Sequence, residues 1–552
     1  MITLLDYGAG NVRSVRNAVL KLGGEIREVR EPADILQADK LIFPGVGNFG
    51  SAMASLQERG WLAPLTEYLR AGRPYLGICL GLQTLFEASA EAPGVAGLGL
   101  IKGVIQRFGA PEGVATGDFP LAIPQIGWNG LAPRLDSPLL ADCQQEKFYF
   151  VHSYRAAASS ENRDWVLAET TYGEDFISAV QMGAVAACQF HPEKSGPAGL
   201  TLLANFLRAE KLAVTERPAP PDRAPSAAAD PSRRGATRPA KRIIACLDVR
   251  NNDQGDLVVT KGDQYDVREA ADGVVRNLGK PVELAERYYH EGADEITFLN
   301  ITAFRAFPLE DQPMLEVLER ASERVFVPLT IGGGIREFTD AHGRFYSALE
   351  VAARYFRAGA DKISIGSDAV TVVEAYLARG RQKDGRSSLE QIAERYGSQA
   401  VVISIDPRRV YVRSPAEAPR HHVIPTAFPG PAGEEYCWYQ CTVKGGREGC
   451  DLDAATLALA CQELGAGEIL LNCIDKDGTN SGFDLELIQL VKGAVTIPVI
   501  ASSGAGKPEH FSEVFIATGA DAALAAGIFH RHEVEISEVK QHLKRHGIET
   551  RD

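Results

Sequence analysis

Residues 292–301 read GADEITFLNI, and residues 465–474 read GAGEILLNCI. The two stretches are near copies, 173 positions apart (465 − 292). GADKISIGS (359–367) is echoed by GADAALAAG (519–527), ACLDV (245–249) by ISIDP (403–407), and IGGGI (331–335) by SSGAG (502–506). Self-similarity at a roughly fixed offset marks an internal repeat. The strand-like runs it connects are IIACLDV (243–249), EITFLNI (295–301), VFVPLTI (325–331), KISIGS (362–367), VVISID (401–406), EILLNCI (468–474), IPVIAS (497–502) and AALAAG (522–527). Helical patterns such as PVELAERYYHEGA (281–293) and ALEVAARYFRAGA (348–360) lie between most of them. Eight strand–helix units predict a closed (β/α)8 barrel built from two similar halves. Uneven offsets place inserts near 336–347, 379–388 and 410–450.

Upstream of the barrel the chain changes character. Residues 213–240 hold six prolines, eight alanines and no aromatic residue. Such a segment buries too little apolar surface to offset its ordering entropy, and it reads as a linker. The expected division is 1–210, a linker at 211–240, and 241–552. In the first block ITLLDY (2–7), KLIFPG (40–45) and YLGIC (75–79) look like buried parallel strands with amphipathic helices between them. FYFVHSY (148–154) and AVAACQF (184–190) are also strand-like, which predicts an open α/β sheet.

Composition narrows the function. The 552 residues are 45% hydrophobic and 24% charged, ordinary for a globular protein and too long for one domain. A net charge of −14 repels phosphate backbones, so nucleic acid is not an expected partner. No apolar run of membrane-spanning length occurs, and the N-terminus enters a strand without a signal-peptide pattern. Nine scattered cysteines fit reduced thiols in a cytoplasmic protein. Cys437, Cys441 and Cys450, with His421 and His422 nearby, are too loosely spaced for a zinc site, and no metal or cofactor is expected.

The repeat pairs two kinds of barrel feature. Asp248 and Asp406 follow opposite strands and face one another across the C-terminal mouth, suited to acid and base roles on either side of a substrate. The bland alternative is that both cap their loops. Small residues form two cradles: Gly332-Gly333-Gly334 with Gly366-Ser367, and Ser503-Gly504 with Ala526-Gly527, to which Asp477-Gly478-Thr479 adds a loop. Close backbone approach and helix N-termini favour anions, so opposed cradles predict a long substrate with a phosphate at each end. At the other end Arg242, Glu295, Lys362 and Glu468 start four strands. They read as a salt-bridge plug or as a gated opening into the barrel.

In the first block Cys79 has glycines two residues away on both sides, Gly77 and Gly81, and LGLQTLFEA (80–88) reads as a helix behind it. This is a nucleophile elbow, with the helix N-terminus favouring thiolate. His191 and Glu193, two apart at a strand end, suit a Cys–His–Glu triad. Backbone N–H groups around Val46-Gly47, with that of Leu80, are candidates for an oxyanion hole.

PGVGNFG, GICLGLQ, YFVHSY and FHPEKS make residues 1–210 resemble class I glutamine amidotransferases. KRIIACLDV, VVTKGDQ, GADEITFLNI, GADKISIGS and DKDGTNSGFD make 241–552 resemble the cyclase barrels of histidine biosynthesis. Together they resemble the fused imidazole glycerol phosphate synthase family. The resemblance implies Cys79 as nucleophile, His191 as base and acid, Glu193 as its orienting carboxylate, and Gln83 and the backbone near Ser153-Tyr154 as glutamine contacts. It implies Asp248 and Asp406 as the cyclase carboxylates and Lys261 as a loop lysine reaching substrate. It places Gly334, Gly366, Ser367, Asp477, Gly478, Gly504, Ala526 and Gly527 at phosphate-binding positions, and Arg242, Glu295, Lys362 and Glu468 at an ammonia gate. The implied partners are small molecules, glutamine and a bis-phosphorylated ribonucleotide, across an interface within the chain. A sugar-isomerase barrel fused to an amidotransferase and a non-catalytic scaffold are the competing readings. The fusion argues against the first, and five intact site residues argue against the second.

Overall fold

The computed structural model describes residues 1–8, 11–109, 115–116, 119–209, 237–251, 257–260, 277–301, 309 and 313–552. The N-terminal part centres on an eight-stranded sheet. Ile2–Leu4 pairs in parallel with Ile26–Glu28 on one side and Lys40–Gly45 on the other, and Lys40–Gly45 pairs in parallel with Tyr75–Cys79. Val185–Cys188 continues the parallel set. Beyond it, Glu174–Met182 and Val166–Tyr172 run antiparallel, so the sheet is mixed. Phe148–His152 lies outside it, in an antiparallel ribbon with Gln125–Asn129.

The helix expected over 80–88 stops at Gln83, and Phe86–Ser89 is a strand paired with Ile101–Arg107. The carbonyls of Thr84, Leu85 and Phe86 are taken by the N–H groups of Leu98, Leu100 and Gly99, which diverts them from helical bonding.

The C-terminal part is the closed barrel. Its eight parallel strands are Arg242–Asn251, Glu295–Asn300, Leu329–Gly332, Lys362–Ile365, Val401–Ile405, Glu468–Asn472, Val499–Ser502 and Ala522–Ala525. Pairing of Arg242 with Ala522 closes the circle. Leu257–Thr260 doubles back on the first strand, so Asp248 sits inside that strand instead of after it.

The repeated motif has a local cause. Gly292, Gly359, Gly465 and Gly519 all take positive φ just past the ends of helices Pro281–His290, Ala348–Ala358, Ala454–Leu464 and Pro508–Thr518. Only glycine adopts that turn without strain. In three copies an aspartate follows two residues later. Asp294, Asp361 and Asp521 each accept a bond from an N–H at the start of a neighbouring strand, at Ile243, Leu329 and Val499, all at 2.8 Å. The fourth copy has Gly467, whose own N–H bonds the Val401 carbonyl.

Side chains alternate along the barrel strands, and the inward set is layered. The charged residues that begin four strands form the floor. Above them Ile244, Val402, Leu470, Ile500 and Leu524 belong to a separate apolar cluster. The insert at 410–450 folds with Pro407–Val412 as a small antiparallel sheet. There His421 and His422 bond Asp451 and Asp453, which leaves Cys437 and Cys441 as buried core thiols.

The two parts meet at the barrel floor. Asn11 donates to the Gly359 carbonyl and Asp361, both at 2.8 Å, and Lys194 pairs with Asp361 at 2.7 Å. Trp128 donates from its indole to the Asp294 carbonyl at 3.2 Å, and the Arg551 guanidinium stacks over the same indole. Most of the proline-rich linker lies outside the described residues. Its last residues are not a free tether: Thr237 and Ala240 are buried, and the Ala240 N–H bonds the Trp128 carbonyl.

Candidate active sites

Cys79 closes strand Tyr75–Cys79 at φ 51°, ψ −101°, a conformation that costs a non-glycine residue about 1–3 kcal/mol. The turn is held by close packing. A Cβ on Gly81 would stand 2.3 Å from the Phe43 carbonyl oxygen, and one on Gly77 2.5 Å from the Gly81 carbonyl oxygen. One on Gly45 would meet Leu80 Cβ at 2.5 Å. The elbow is thereby pressed onto strand Lys40–Gly45, whose continuation carries Val46 and Gly47. The Tyr7 hydroxyl donates to the Val46 carbonyl at 2.6 Å, which fixes how that peptide faces.

His191 and Glu193 are buried beside the thiol. His191 Nδ1 bonds Glu193 Oε1 at 2.8 Å, so Nδ1 carries the donated proton. Nε2 is buried and has no hydrogen-bond partner among the described residues. Burial works against a charged ring, but Glu193 and Cys79 outweigh it and hold the imidazole pKa well above its ordinary value. Gln83 donates to the Tyr154 carbonyl and to Gln189 Oε1, both at 3.1 Å, and Gln189 Nε2 points to Cys79 Sγ at 3.4 Å.

On the barrel floor four charges form a closed ring. Glu295 and Glu468 each meet both Arg242 and Lys362. The Arg242–Glu295, Lys362–Glu295 and Lys362–Glu468 contacts are 2.9, 2.6 and 2.7 Å, and Arg242 closes the ring on Glu468. All four are almost fully buried. Thr330 adds a bond to Glu295 at 2.6 Å. Burial pushes the Glu295 carboxyl up, and the Lys362 and Arg242 charges more than offset it, so its pKa lies below the usual range.

At the opposite end Asp248 stands on the first strand and Asp406 directly follows the fifth, half a turn of the barrel apart. Cys246 Sγ reaches Asp248 Oδ1 at 3.7 Å. Gly366 and Ser367 begin helix Ser367–Ala378, and Ala526 and Gly527 begin helix Gly527–His530. Gly334 and Gly504 take positive φ. The Gly482 N–H donates to the Gly504 carbonyl at 2.8 Å, tying the loop that carries Asp477 and Gly478 to that of Gly504. Lys261 lies outside the described residues.

Residues 242–535 match the family model for "Histidine biosynthesis protein", and 3–209 that for "Glutamine amidotransferase class-I". Imidazole glycerol phosphate synthase hisHF, chloroplastic, of Arabidopsis thaliana is 58% identical over all of this chain and 89% of its own length. The hisHF protein of Schizosaccharomyces pombe is 53% identical over 99% of each chain. The HisF subunit of Methanosphaera stadtmanae is 43% identical over 55% of this chain and 96% of its own.

The chain belongs to the imidazole glycerol phosphate synthase family. It is a fused glutamine amidotransferase and histidine-biosynthesis cyclase, and among the described residues no helix is long and apolar enough to cross a membrane. Sequence reading missed Gln189, although it stands two residues before His191. An extended chain puts positions 189 and 191 on one face, and that spacing was its signal. It also missed Tyr7, for which no sequence signal existed, because Val46 meets it only through the parallel sheet.

Proposed function

We propose that Cys79 attacks the side-chain carbonyl carbon of glutamine while His191, oriented by Glu193, takes the thiol proton and returns it to the departing ammonia. The resulting thioester is hydrolysed to glutamate. The raised imidazole pKa favours the protonated ring, the form that donates to a leaving amine. Val46, Gly47 and Leu80 supply backbone surroundings for the oxyanion, and Gln83 contacts glutamine. Ammonia then passes the ring of Arg242, Glu295, Lys362 and Glu468 and crosses the apolar barrel interior. At the far mouth it converts phosphoribulosyl-formimino-aminoimidazole-carboxamide ribonucleotide to imidazole glycerol phosphate and aminoimidazole carboxamide ribonucleotide. Asp248 and Asp406 exchange the protons, Lys261 reaches the substrate, and the two cradles hold its phosphates.

One observation carries the coupling: Tyr149 joins the two machineries. Its carbonyl accepts the His191 N–H at 2.9 Å, and its buried phenol lies in the field of Glu295 and Arg242. The triad therefore abuts the floor of the barrel. The acidic surface argues against nucleic acid as a partner, and nine free thiols support a reducing compartment. We read that compartment as the cytosol, with a plastid the alternative that the Arabidopsis relative's name raises.

Cys79→Ala tests the assignment. The variant is expected to lose glutamine hydrolysis by at least ~100-fold and to retain cyclisation with ammonium salts. Wild-type glutamine use by this variant would overturn it.

A further inference from the structure

The two half-barrels are near copies, yet the carboxylates they contribute do not have equivalent neighbours. In the first half Asp248 pairs across the sheet with Leu299. The repeat carries Leu299 onto Asn472, because GADEITFLNI and GAGEILLNCI align residue for residue. An apolar side chain in one half is thus replaced by an amide in the other. Asn472 Nδ2 donates to Asp406 Oδ1 and to Ser404 Oγ, both at 2.9 Å. Ser404 is itself within bonding reach of Asp406, and its counterpart in the first half is Cys246, a far weaker donor.

We propose that Asn472 is a positioning residue that makes Asp406 chemically distinct from Asp248, holding Oδ1 and so fixing how the carboxylate faces the substrate. The amide has two N–H groups, and the two acceptors occupy both, so the side chain cannot rotate without losing one. Other elements also bear on Asp406. Thr442 of the insert bonds its carbonyl through both N–H and hydroxyl, Cys441 faces it from the same strand, and Asp477 acts on it from the loop after the sixth strand. Burial raises its pKa, the Asn472 and Ser404 donors lower it, and Asp477 raises it. The Asn472 donor therefore opposes the trend of the site.

The inference rests on Asp406 being an acid–base group of the cyclase, and the test separates the two. Full-length Asn472→Leu copies the first half's residue and keeps the branching at Cγ and the heavy-atom count while removing the donor. Ammonia-dependent cyclisation of the ribulosyl substrate is measured from pH 5.5 to 9.5. A lost bond to a carboxylate is expected to move the limb governed by Asp406 up by about one to two pH units and lower kcat, with KM changed less than twofold. Asn472→Thr, which keeps a donor, is expected to recover at least half of the shift. A wild-type pH profile in Asn472→Leu, with Asp406→Asn inactive, would overturn the positioning role alone. Full ammonia-dependent activity in Asp406→Asn would overturn the reading beneath it. A lowered kcat in both Asn472 variants with no movement of either limb would reduce Asn472 to packing.

Discussion

His152 shows what burial does to one ionisable side chain. It lies in the ribbon behind the triad, ringed by Phe108, Phe150 and Phe176. Nδ1 donates to the Tyr154 carbonyl at 2.8 Å, and burial outweighs that bond and pushes the pKa down to about 3, which keeps the ring neutral. In the unfolded chain the same group takes up a proton near pH 6.5. Below that pH the unfolded state binds more protons, so stability falls as pH drops through the window from 6.5 to about 3. At pH 5 the loss from this one group is about 2 kcal/mol. His152→Leu is weaker overall but expected to lose that much less between pH 7.5 and pH 5, read from urea midpoints at both pH values. Equal losses would mean that the folded protein protonates His152. At this scale the sequence singled out Cys79, His191 and Glu193, because chemistry at fixed spacing is local, and the fold joins His191 to Glu193 by a bond of 2.8 Å. It did not reveal Gln189, Tyr7 or Asn472, whose roles come from neighbours far along the chain. Nor did it show that the histidines of the insert were committed to aspartates.

Among the elements, the elbow joins sequence most directly to chemistry. Three glycines allow the strand Tyr75–Cys79 to turn into a four-residue helix against its neighbour. Gly81→Ala places a methyl 2.3 Å from a backbone oxygen that cannot swing aside. The expected result is a stability loss of about 1–3 kcal/mol and, with the thiol displaced by about 1 Å, a ~100-fold fall in glutaminase rate. Ammonia-dependent cyclisation is expected to stay within twofold. A glutaminase rate near wild type would show that the elbow tolerates a looser turn. All eight barrel strands were legible because helix-ending glycines and apolar runs recur with the repeat. The strand at Phe86–Ser89 was not, since its apolar pattern also suits a helix and only partners at 98–101 decide between them. The departure of Phe148–His152 into a ribbon was illegible for the same reason: its partner, Gln125–Asn129, is fixed by tertiary pairing.

For the whole molecule the question is what the ring of charges on the floor does. The sequence placed four charges at strand starts and favoured a gate, with a structural plug as the alternative. Lys362→Ala leaves Glu295 and Glu468 sharing one cation in a buried place, a loss of about 3–5 kcal/mol if nothing rearranges. A gate predicts more than one glutamate released per imidazole glycerol phosphate, with ammonium-dependent cyclisation within twofold of wild type. A ratio held at one, beside a sharp fall in thermal midpoint, would mark a plug. The ring's connectivity bears on the same point. Its contacts form a cycle, each acid joined to both bases. Cutting one edge of a cycle leaves an unbroken path through all four members, so every carboxylate keeps a cation. An aperture for a small neutral molecule can therefore open at a single contact without stranding any charge. A linear row of two separate pairs has no such redundancy, because breaking either contact isolates two ions at once.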